Sequence, residues 1–102
     1  MKELMNKINQ FRDDRDWRKF HNEKDLAISI SLEASELLEL FQWKKSEEVV
    51  ASSLKEIKEE LADVLIYSLM MADNLNLDVE DIIKSKIHRE LTDIIQKYKP
   101  DV

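Results

Sequence analysis

The chain has 102 residues, with 22 acidic against 16 basic side chains, no Cys, no Gly and a single Pro at position 100. Without glycine there is no P-loop or dinucleotide fingerprint, and without cysteine no thiolate zinc site, redox pair or thiol nucleophile, so chemistry falls to carboxylates, histidine, hydroxyls or a bound metal. A net charge of −6 speaks against a nucleic-acid partner, because affinity for a polyanion rests on cations that neutralise phosphates.

Abundant Leu, Ile, Glu and Lys with no glycine reads as helix almost throughout. A first helix is expected from Lys2 to Trp17, with Leu4, Ile8 and Phe11 as its apolar stripe. The polar run His21, Asn22, Glu23, Lys24, Asp25 breaks it. A second helix follows from Leu26 to Trp43 with Asp25 as N-cap. Then either Ser46 caps a third helix, or Ser53 does so in a capping box with Glu56 and residues 46–52 form a loop or separate turn. That helix ends near Leu75 at Asn76. Asp78 and Asp81 open a last helix reaching Tyr98 before Pro100. The expected fold is all-α, a bundle of four helices. A domain this short has little interior, so its spare apolar surface is expected to be buried between subunits. No uncharged run of about 18 residues occurs, and residues 1–20 carry charges where an export signal needs an apolar core, so no membrane partner and a cytoplasmic location are expected.

Charge is sparse in two places. Between Leu26 and Phe41 only Glu33, Glu36 and Glu39 are charged, and between Leu61 and Ala72 only Asp63 is, three positions after Glu60. Residues three apart share a helix face, so Glu33 with Glu36 and Glu60 with Asp63 each present two carboxylates to one side. If the two helices pack antiparallel, four carboxylates converge, and they can stay ionised together only beside a cation. Oxygen donors alone favour Mg²⁺ or Mn²⁺. A di-iron bundle needs Glu-x-x-His pairs, and neither His21 nor His88 has a Glu three residues before it.

The stretch from Glu33 to Asp63 has the form ExxE, spacer, ExxD, with 23 residues between Glu36 and Glu60. Together with RDWRKFH at 15–21, ELLELFQWK at 36–44 and ELADVLIY at 60–67, it resembles the all-α MazG-like nucleoside triphosphate pyrophosphohydrolases, in particular their dCTP pyrophosphatase branch. The resemblance implies a MazG-like bundle completed by oligomerisation, as a homodimer or homotetramer. It implies Mg²⁺-dependent hydrolysis of a deoxynucleoside triphosphate, dCTP-like first, to the monophosphate and pyrophosphate. Glu33, Glu36, Glu60 and Asp63 would then hold the metal, with Glu36 or Glu33 as catalytic carboxylate. Trp17, Arg18, Lys19, Phe20, His21, Trp43 and Tyr67 would line the nucleotide pocket, and Lys44 and Lys86 would meet phosphates.

Two rival readings share these residues. A related all-α hydrolase of another phosphorylated metabolite would keep the carboxylates and differ at Trp17, Trp43 and Tyr67. A non-catalytic helical interaction module would use the tryptophans as interface anchors, and Asp63 inside an apolar helix speaks against it. Relatives commonly carry Asn where this chain has Glu90, and the eukaryotic branch places a His where Ile8 stands.

Overall fold

The computed structural model describes residues 1–98, in which α1 (Lys2–Asp14), a 3-10 turn (Arg18–Phe20), α2 (Glu23–Phe41), α3 (Ser46–Ser52), α4 (Leu54–Asn74) and α5 (Val79–Tyr98) follow one another. No strand occurs among the described residues. The all-α expectation holds, with five α-helices rather than four among the described residues. The extra one comes from residues 46–52, which form a short helix of their own. Its N-cap is Lys45, not Ser46, and Ser53 stands at the N-cap of α4 without a side-chain capping bond.

The first helix stops at Asp14, three residues short of Trp17, because Asp16 turns left-handed with φ 54°. The Asp16 N–H then bonds Asp13 O at 3.1 Å and the Trp17 N–H bonds Arg12 O at 2.9 Å, the paired closure of a Schellman stop made without glycine. The same device ends α4: Asn76 has φ 54°, and the Leu77 N–H reaches back to Ala72 O at 2.9 Å. α2 begins earlier than expected. Asn22, not Asp25, is its N-cap, its Oδ1 accepting the Asp25 N–H at 2.8 Å, while Asp25 sits in the first turn, where its charge meets the positive end of the helix dipole. Asp78 Oδ1 accepts the Asp81 N–H at 3.0 Å and caps α5. Pro100 lies outside the described residues.

α2 and α4 form the body and run antiparallel, since Leu26 at the start of α2 packs with Met70 near the end of α4 while Glu33 and Glu36 meet Glu60. Leu26 and Met70 are fully buried, joined by Ile8 from α1 and flanked by Ile66, Tyr67, Leu69 and Met71. Burial of this kind contributes about 1.5–3 kcal/mol per large side chain. α3 contributes buried Val49. The core is small for the apolar content. Leu32, Leu38 and Leu65 on α2 and α4 stay exposed, as do Ile83, Ile87, Leu91, Ile94 and Tyr98 along α5. The radius of gyration is 17.8 Å, against about 13 Å for a compact domain of 100 residues. No helix among the described residues is long and apolar enough to cross a membrane.

Candidate active site

The antiparallel pairing of α2 and α4 brings one carboxylate oxygen each from Glu33, Glu36 and Glu60 within 4.8 Å of one another. Glu33 and Glu60 are half-buried, Glu36 is exposed, and Oε2 of both Glu33 and Glu60 is buried without a hydrogen-bond partner. None of the ion pairs among the described residues engages these three groups. Burial, the adjoining Glu36 carboxylate and the charges of Asp63 and Glu60 push the Glu33 carboxyl up to about 7. Glu60 is raised by burial first and then by Glu36 and Asp63. Crowded anions of this kind either share a proton or take a cation. The donor set, all oxygen and partly dehydrated, is one that a hard divalent cation fits.

Asp63 stands outside that 4.8 Å set but belongs to the same field, since its charge acts on Glu33, Glu60 and Tyr67. It lines an adjoining cavity of about 130 Å³ with Phe11, Trp17, Ile66, Tyr67 and Met70. The aromatic rings there form a connected series. Phe11 and Trp17 lie 5.2 Å apart, Trp17 and His21 5.5 Å, and His21 and Tyr67 6.2 Å, all edge to face. Burial raises the Tyr67 hydroxyl, helped by the charges of Glu33, Asp63 and Glu36. Burial lowers His21 and the Arg12 charge lowers it further, so at neutral pH the ring is uncharged and offers one N–H and one lone pair.

The structure separates the other sequence candidates from this cluster. Arg18 is engaged by Asp13 at 2.6 Å and Asp73 at 3.4 Å, and Lys19 by Asp16 at 2.6 Å. Phe20 is exposed beneath the Lys19 ammonium. Trp43 is 94% exposed. It sits past the end of α2, beyond Glu36, whereas Tyr67 and Trp17 lie toward the start of that helix, so Trp43 does not join them within one chain. Lys44 is exposed beside it. Lys86 lies on exposed α5 and pairs with Glu90 at 2.5 Å, which gives the departure at position 90 a local role.

Sequence reasoning missed Arg12, Asp73 and Asn74. Arg12 is fully buried, its Nη2 donating to Asn74 Oδ1 at 2.9 Å. The signal was present, because Arg12 follows Ile8 by four positions and so lies on the apolar face of α1.

A model of the MazG-like family matches residues 28–100. Among characterised proteins, dCTP pyrophosphatase 1 of Bos taurus and that of Homo sapiens are each 37% identical over 83 residues, 76% of this chain and 49% of theirs. The chain thus spans about half the length of the curated relatives it matches. The crystal structure of a pyrophosphatase from Archaeoglobus fulgidus superposes with a TM-score of 0.87 at 40% identity, covering 98% of this chain and 93% of that one. With the carboxylates of α2 and α4 gathered inside the region that the family model spans, the chain belongs to the MazG-like family.

Proposed function

We propose that the protein is a nucleoside triphosphate pyrophosphohydrolase that converts a deoxynucleoside triphosphate, dCTP-like first, to its monophosphate and pyrophosphate in cytoplasmic nucleotide-pool cleaning. The observation that carries this reading is the meeting of three carboxylate oxygens from two helices, with buried, unpartnered oxygens on Glu33 and Glu60. The names borne by the relatives support it. Glu33, Glu36, Glu60 and Asp63 would hold Mg²⁺, or Mn²⁺ in its place, which when bound neutralises phosphate charge and polarises the α-phosphoryl group.

The remaining work belongs to the chain. Glu36, the exposed member of the three, accepts the proton of the attacking water at its carboxylate oxygen. The water oxygen bonds to the α-phosphorus as the bridging bond to the β-phosphate breaks, and pyrophosphate leaves with that electron pair. Trp17 and Tyr67 cover the base, and neutral His21 presents a hydrogen bond to the base or sugar. Lys44, Lys86 and Trp43 stand apart from the carboxylates within one chain, and would serve the phosphates and the base from a second copy, with Arg18, Lys19 and Phe20 at the rim. A cavity of about 130 Å³ is below the roughly 300–1,000 Å³ of ordinary ligand pockets. The missing walls come from a second copy, in a homodimer or homotetramer.

A panel of nucleoside triphosphates with and without Mg²⁺, with monophosphate and pyrophosphate separated from diphosphate and phosphate, tests the activity. Diphosphate as the main product overturns it. Light scattering tests the assembly: an oligomer that dissociates only on unfolding is expected, with more than about 2,000 Å² buried per interface. A folded monomer at micromolar concentration overturns that expectation.

Stability should report the burial and crowding of these carboxylates. The folded Glu33 carboxyl, near 7 against an ordinary 4.5, binds its proton more tightly than the unfolded chain does. Its stabilising contribution is therefore complete below 4.5, falls as pH climbs from 4.5 to 7, and is absent above. The Tm of metal-free protein should drop by several degrees between pH 5 and pH 8. Mg²⁺ at about 100 times its Kd should then add about 2.7 kcal/mol at pH 8. A Tm that is flat with pH and indifferent to Mg²⁺ and Mn²⁺ would remove the metal from the proposal.

A further inference from the structure

Arg12 is an arginine with no accessible surface, and most of its hydrogen-bonding capacity is unused. Nη2 donates to Asn74 Oδ1 at 2.9 Å, but Nε and Nη1 have no hydrogen-bond partner, and Asp73 Oδ2 stands 3.9 Å from Nη1. A buried guanidinium with one good bond is a weak stability device, because its desolvation is costly and well-packed apolar replacement of buried charged groups is often neutral or stabilising. What Arg12 does have is a position at the junction of three pieces of chain. Its carbonyl accepts the Trp17 N–H at 2.9 Å, and its side chain reaches α4 at Asn74. Asn74 Nδ2 in turn donates to the His21 carbonyl at 2.8 Å. The amide of Asn74 is thus used from both ends, its oxygen held by α1 and its nitrogen holding the loop that follows α1. Arg18 adds an outer tie from the same loop to Asp13 and Asp73.

Between these ties run residues 17–21, whose Trp17 and His21 rings face Phe11 and Tyr67 beside the carboxylates. We propose that Arg12 and Asn74 are positioning residues, a buried latch that fixes the Trp17 and His21 rings against Tyr67 and so sets the geometry of the base subsite. The proposal rests on the nucleotide-binding role given to those rings. Neither residue reaches the substrate. Each acts through the main chain of the loop, so their loss should loosen substrate binding while leaving the carboxylates on α2 and α4 in place.

Two substitutions separate the latch from simple folding. Asn74→Asp keeps an oxygen for Arg12 and supplies it with a counter-charge, but puts an acceptor in place of the donor that faces the His21 carbonyl. Arg12→Met removes the buried charge and keeps an apolar stem of similar length. Trp17 emission in a Trp43→Phe background, without nucleotide, reports the loop by itself. Kinetics are measured with Trp43 intact. In both variants Trp17 emission should shift to the red with greater acrylamide quenching. KM for the best nucleotide should rise at least about 10-fold with kcat changed less than about 2-fold. The Mg²⁺ concentration for half-maximal rate should stay the same. Wild-type emission in folded Asn74→Asp protein overturns the latch, and so does shifted emission with unchanged KM. If the wild-type protein hydrolyses no nucleotide, the pyrophosphohydrolase reading fails, and the emission of the two variants still decides whether Arg12 and Asn74 hold the loop.

Discussion

Glu36→Gln and Asp63→Asn should each lower turnover by about 10³-fold, the upper end of the range for removing one group that stabilises charge in a transition state. Each swap keeps the shape of the side chain and removes its charge. Glu36 belongs to the trio within 4.8 Å, so its amide takes a metal donor and a proton acceptor away together. Asp63 faces the aromatic cavity, and its amide removes the charge nearest the base side of the cluster. Both variants should remain folded by circular dichroism. Their metal-free Tm should equal or exceed that of the wild type, because like-charge repulsion inside the cluster is relieved. Full activity in both variants, or wild-type activity undiminished in excess chelator, would remove these residues from the chemistry.

Trp43 stands apart from Trp17 and Tyr67 in its own chain, and with its indole closing the base pocket of a second copy, Trp43→Ala should lower kcat/KM about 5- to 100-fold, the kinetic equivalent of losing about 1–3 kcal/mol of base stacking. At 94% exposure the indole makes almost no packing within its own chain, so its removal should leave Tm within error. That makes it a cleaner probe than Trp17, whose loss also breaks the contact with Phe11. Metal dependence should be unchanged and discrimination among bases should flatten. Inorganic triphosphate, which has no base, should be a poor substrate for the wild type. Unchanged nucleotide kinetics in Trp43→Ala would leave the indole as a surface residue with no part in binding.

The helices were legible wherever an apolar stripe ran long enough, as in α2, α4 and α5, and the two carboxylate pairs stood out because their neighbours are apolar. The end of α1 was not legible. Its stop depends on Asp16 taking a left-handed backbone that one associates with glycine, and that choice is enforced by bonds back to Arg12 and Asp13. The sequence leaves two starts open for the third helix, Ser46 or Ser53, and the chain begins a helix at each place, with Lys45 rather than Ser46 as the first N-cap and no capping bond from the Ser53 side chain. Arg12 was hidden for another reason. A charged residue on an apolar face looks like noise until its partner, Asn74, is known, and that partner lies 62 positions away. The placement of Trp43, Lys44 and Lys86 was also beyond the sequence, since spacing along a helix says which face a residue shares and not what lies opposite.

The turn after α2 bears on how this protein can evolve. Gln42 has φ −62° and ψ 129°, Trp43 has φ 64°, and the Lys44 N–H bonds Phe41 O at 3.2 Å, which makes Trp43 the third residue of a type II turn, where glycine or asparagine is at home. A side chain with a Cβ costs roughly 1–2 kcal/mol in this backbone region. Selection for thermal robustness alone would therefore drive position 43 toward glycine and erase the indole in the same step. With the indole serving the nucleotide as proposed, selection for turnover would hold the bulky residue in place against that gradient. The two pressures meet at one codon, so a heat-tolerant lineage of this protein would have to find its gains elsewhere in the chain.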